Sequence, residues 1–165
     1  MNELAIYLHL AQASHRRRRP LVRDKLLVLA GVIALGRNLD QIAQYCRQLI
    51  LTHNPAHLVG HWASFDAALA DDDFRIYLRR LARLYPLEKA EHMLQSWGID
   101  LARERNLYLD DHEYAAGILG ATPDLLAAST LQPPVRRVEC GRGEPRAPFA
   151  ARLSARLKSL VRFLR

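Results

Sequence analysis

Eleven consecutive residues, Leu26 to Gly36, carry no charge and are apolar on most faces of a helix. Roughly 20 such residues are needed to cross hydrocarbon, so this stretch belongs at the centre of a core that other elements surround. Pro20 can open it, because a proline in the first turn has no N–H to leave unpaired, and Gly36 is a natural stop. The question for the rest of the chain is what coats this helix.

Periodicity answers it. Leu4, Ile6, Tyr7, Leu8, Leu10 and Ala11 recur at helix spacing, and no segment keeps up the alternation of a strand. Asn38 stands three residues before Gln41, the spacing of a capping box, ahead of Ile42, Ala43, Cys46, Leu49 and Ile50. Asn54-Pro55 offers a cap and a first-turn proline for a helix through His57, Leu58, His61 and Trp62. A short piece is expected from Ser64 to Ala70, then a stronger one from Phe74 to Tyr85, opened by Asp71-Asp72-Asp73 and closed by Pro86. Leu87–Trp97 should stop at Gly98, Asp100 should cap Leu101–Leu109, and Asp110-Asp111 should introduce Glu113–Leu119 before Gly120. Thr122-Pro123 begins a last turn of helix to about Ser129. The expectation is all-α, a compact bundle of about eight short helices over residues 1–131. Trp62 and Trp97 have neighbours that do not match a tetratricopeptide pattern, so a helical solenoid is not expected.

A chain of 165 residues can bury about 70% of its unfolded surface, so it needs neither disulfides nor a metal to hold a core. Its two cysteines agree with that: Cys46 falls on an apolar helix face, and Cys140 lies in a Pro/Gly/Arg-rich stretch, which does not make a secreted disulfide scaffold. The formal net charge is +7, and its distribution matters more than its sum. Residues 1–131 hold 15 Lys/Arg against 15 Asp/Glu, whereas residues 132–165 hold 9 against 2. The isoelectric point near 9.9 therefore describes a basic tail on a neutral body. Glu3 precedes the first apolar residues and the arginines follow them, opposite to a secretory signal. The chain is thus expected in the cytoplasm, peripheral at the membrane if its tail meets lipid.

That tail has two parts. Residues 132–148 carry Pro133-Pro134, Gly141, Gly143, Pro145 and Pro148 with few apolar side chains, the composition of a linker. In residues 149–165, Phe149, Leu153, Leu157, Leu160, Val161 and Leu164 fall on one arc of about 120° at helical spacing. Arg152, Arg156, Lys158, Arg162 and Arg165 take the remaining arc, and no acid occurs. This is the pattern of a cationic amphipathic helix for a lipid interface or a partner's groove. Docking on the chain's own body and binding of nucleic acid are the alternatives. A docked helix usually mixes both charge signs on its wet face, and this one does not.

Two further basic clusters bear on a nucleic-acid reading. Arg16, Arg17, Arg18 and Arg19 suit a loop facing phosphate, or a solvated turn after the first helix. Arg75, Arg79 and Arg83 recur every four residues opposite Phe74, Tyr77, Leu78, Leu81 and Tyr85. Such a stripe can follow a phosphate backbone. It is also what a well-made helix shows, with acids at its start and arginines at its end.

Chemistry-bearing patterns are sparse. His57 and His61 would share a face on an α-helix and make a weak zinc candidate, yet no glutamate stands between them for an H-E-x-x-H site. Asp110-Asp111-His112-Glu113 is explained by capping, and His92 directly follows Glu91 instead of at the spacing of a di-iron bundle. No serine lies in a G-x-S-x-G turn and no glycine-rich phosphate loop occurs. Neither catalytic residues nor a cofactor are expected. The sequence favours a non-enzymatic interaction or adaptor protein whose cationic C-terminal helix binds an anionic surface, either a membrane interface or an acidic protein partner. A nucleic-acid-associated protein is the alternative.

Overall fold

The computed structural model describes residues 3–99 and 110–131. These lie in the first of two units into which the chain divides, Met1–Val135; the second is Arg136–Arg165. The expected helix over Leu101–Leu109, the linker 132–148 and the basic helix 149–165 lie outside the described residues. Among the described residues there are eight α-helices, one 3-10 turn and no strand, so the chain is helical as its periodicity predicts.

The first three helices are α1 (Glu3–Arg16), α2 (Pro20–Leu35) and α3 (Asp40–His53). A 3-10 turn, Leu58–His61, leads to α4 (Phe65–Leu69), α5 (Asp72–Leu84) and α6 (Leu87–Ser96). After the undescribed stretch come α7 (Asp111–Leu119) and α8 (Pro123–Leu131). Helix α2 packs between α1 and α3, with α4 and α5 on its remaining side; α6 and α7 cover α1, and α8 covers α3.

Leu26, Leu27, Val28, Leu29 and Ala30 are all buried, which places α2 at the centre as the charge-free run requires. Burial of this kind contributes about 1.5–3 kcal/mol for each large aliphatic side chain. Helix α1 shares that position. Every residue from Leu4 to Ala11 is buried, including His9, whose Nε2 lies 2.9 Å from the Tyr114 hydroxyl on α7. The Tyr7 hydroxyl donates to the Tyr85 carbonyl oxygen at 2.8 Å, tying α1 to the end of α5; burial raises its pKa above the ordinary tyrosine range. At Gly31 the Phe65 ring rests on the α2 backbone so closely that a Cβ would lie 2.3 Å from it. Only glycine admits that approach.

Several starts and stops match the sequence. Ser64 caps α4 through Ala67 N–H at 3.1 Å, Asp71 caps α5, and Asp110 caps α7. Gly98 and Gly120 take positive φ beyond α6 and α7. Two expectations fail. Asn38 does not form a capping box: it adopts a left-handed φ of 59° in the turn, and α3 begins after Leu39 with no side-chain cap. The segment after Pro55 is not an α-helix. Asn54 accepts from Ala56 N–H at 3.2 Å, which holds the chain in a local turn, and only the 3-10 turn follows.

Candidate functional site

A polar constellation centres on Asp24, which is 2% exposed in the first half of α2, between Arg23 and Lys25 and ahead of the charge-free run. A buried carboxylate needs partners for its charge and its lone pairs. Neighbouring Arg23 donates to Oδ1 through Nε at 3.1 Å and Nη2 at 2.9 Å. From the last turn of α3, His53 Nδ1 stands 2.6 Å from Oδ2. An ionised carboxylate only accepts, so Nδ1 carries the donated proton. A His53 ring that is neutral then keeps Nε2 as an acceptor on a side chain about one-third exposed. This is a carboxylate-oriented imidazole, its ring held in place by the hydrogen bond to Asp24.

The field of Asp24 extends to two more groups. His57 and Tyr77 lie with ring centroids 6.3 Å apart. Burial lowers the pKa of His57, and Asp24 pulls the other way with the smaller effect. Burial raises the pKa of Tyr77, and Asp24 adds to that rise. On the opposite side, Arg23 Nη1 is 3.2 Å from His15 Nδ1. Guanidinium has no acceptor, so His15 Nδ1 accepts and its proton sits on Nε2. A chain of polar contacts thus runs His15–Arg23–Asp24–His53 across the ends of α1, α2 and α3. Sequence reasoning missed it: Arg23 and Asp24 are adjacent, but their partners come from eight residues before and 29 residues after. A lone acid just ahead of the charge-free run was the only available signal.

Among the sequence-predicted residues, Arg16 ends α1 and Arg17, Arg18 and Arg19 form the turn to α2, all four exposed. Arg18 adopts a left-handed φ of 56°, and Arg17 stacks over the Trp97 ring at 4.0 Å, within cation–π range. Arg75, Arg79 and Arg83 lie exposed along α5, with Arg75 paired to Asp72. His57 caps the 3-10 turn and His61 ends it: His57 Nδ1 accepts from Val59 N–H at 3.3 Å, and the His61 ring lies tilted against Trp62 with centroids 5.7 Å apart. The shared helical face that would have made them a zinc pair is therefore not formed. Among the described residues no group of three or more His, Cys, Asp and Glu side chains is placed to hold a metal. Cys46 is fully buried and its thiol is pushed up to about 12, which makes it inert.

One buried cation stands apart from these. Arg47 on α3 is 9% exposed and donates through Nη2 to the Trp62 carbonyl oxygen, while its Nε finds no acceptor. Burial alone lowers its pKa.

No family model, curated protein or solved structure matches the chain.

Proposed function

We propose that this protein is a non-enzymatic helical interaction module whose cationic C-terminal segment, residues 149–165, binds an anionic surface at a membrane or on an acidic partner. The observation that carries this reading is the division of charge. The body balances 15 basic against 15 acidic residues, while the last 34 residues hold the entire excess. The apolar residues of that segment recur on one helical arc beside five basic ones, so one element offers both hydrophobic burial and electrostatic attraction. No helix among the described residues is long and apolar enough to cross a membrane. Replacing Leu157 and Leu160 by Glu breaks the apolar arc. The double variant should lose binding to anionic vesicles while keeping the helical circular dichroism and melting temperature of the parent. Undiminished binding would refute the proposal.

A second reading rests on α5. Arg75, Arg79 and Arg83 are exposed on successive turns, the spacing a nucleic-acid backbone would meet. It predicts that log K for a DNA or RNA duplex falls linearly with log[salt] and that Arg79→Ala with Arg83→Ala flattens the slope. A salt-independent affinity would remove it.

A further inference from the structure

We propose that the cleft between α1, α2, α3 and α7 is a binding site for a free small carboxylic acid with a compact apolar body. The cleft has a volume of about 150 Å³, the size of an interior cavity that admits a benzene ring. Leu27, Leu49 and Ile118 supply its apolar floor, and Gln12, His15 and Arg23 its polar rim. No acidic side chain lines it. This is the composition of a small-molecule site: a greasy pocket with a few convergent polar groups.

The rim is preorganised to donate. Arg23 has five N–H groups; three are used by Asp24 Oδ1 and the Leu49 carbonyl oxygen, which fix the guanidinium plane. A fourth is held by His15 Nδ1, leaving one Nη1–H. The same contact leaves the His15 proton on Nε2, as a donor on an exposed side chain. Gln12, half-buried one turn before, brings an amide N–H. A ligand meeting these donors must accept hydrogen bonds, and a carboxylate accepts them with charge assistance. Asp24 offsets part of the Arg23 charge, so short-range, charge-assisted hydrogen bonds at the rim carry recognition, with little long-range attraction. The small volume excludes a folded partner's side-chain cluster and selects a ring or a branched chain.

The probe is benzoate, titrated into the full-length ¹⁵N-labelled protein and followed by amide chemical shifts. Benzyl alcohol keeps the ring without the charge, and acetate keeps the carboxylate without the ring. Benzoate should bind with Kd on the order of 1 mM, with shifts concentrated around Gln12, Arg23, Leu49 and Ile118. Benzyl alcohol and acetate should each bind at least tenfold more weakly. Gln12→Phe fills the mouth without touching the Arg23–Asp24 pair; it should weaken benzoate at least tenfold with the melting temperature unchanged. Arg23→Lys keeps the charge but loses the remaining Nη1–H donor, and should weaken benzoate more than benzyl alcohol. Equal binding of benzoate and benzyl alcohol, shifts located elsewhere, or undiminished binding to Gln12→Phe would each overturn the proposal.

Discussion

Helices α2 and α5 touch each other and are built on opposite principles. In α2 the buried set includes Asp24, the five residues Leu26–Ala30, Gly31 and Ala34. In α5 only Phe74 and Leu81 are buried, and arginines fill the wet face. The apolar helix is the one that contains a buried charge; the charged helix keeps every charge in water. A long apolar run can host a carboxylate because neighbouring helices close around it and bring its partners, here Arg23 beside it and His53 on α3. A surface helix has no such neighbours, so its ion pairs are exposed and contribute about 0–1 kcal/mol each.

That contrast can be broken from the α2 side first. Asp24→Ala leaves Arg23 without its carboxylate and should cost about 3–5 kcal/mol, read by urea denaturation. A loss near zero would mean that the cluster does not join α2 to α3. Gly31→Ala drives a methyl group into the Phe65 ring, and overpacking of this kind costs about 1–3 kcal/mol. Phe65→Leu in the same background should recover part of the loss, which a double-mutant cycle would show as coupling. Two independent, additive losses would contradict the close contact.

His57 sharpens the comparison because it meets Tyr77 of α5 and feels the field of Asp24 on α2. Its pKa is lowered in the folded protein, chiefly by burial. The unfolded chain therefore binds the proton more readily, and stability falls as pH drops below the ordinary histidine value of about 6.5. The fall levels off once the pH lies below the folded value as well. His57→Asn keeps a capping acceptor for Val59 N–H and removes the titration. Its melting temperature should decline less than the parent's between pH 7 and pH 5; an identical decline would assign the effect to other groups. The smallest effect belongs to α5: Arg79→Ala and Arg83→Ala should change stability by no more than about 0.5 kcal/mol each. A larger loss, read by the same denaturation, would show that the stripe is part of the packing.

The difference between α2 and α5 also marks what could be read from residues alone. The central place of α2, the start of α5 after Asp71 and the glycine stops follow from local pattern, and the structure carries them. The equal burial of α1 does not, because His9 looks polar until Tyr114, 105 residues away, meets it. Asn38 and Asn54 read as caps because asparagine favours caps, turns and left-handed backbone alike, and the tertiary context chose turns. The Asp24 constellation was illegible for the same reason as the cleft: its members come from separate helices, brought together only by packing.

On the function proposed above, the neutral body and the basic C-terminal segment have separate tasks, with residues 149–165 as the element that engages anionic surfaces. Flotation of the full-length protein with anionic and with neutral vesicles tests it most directly, alongside the Leu157→Glu/Leu160→Glu and Arg79→Ala/Arg83→Ala variants. The parent and the α5 variant should float with anionic vesicles only, and the C-terminal variant should not float. Flotation of the C-terminal variant at the parent's level, or its loss in the α5 variant, would contradict it.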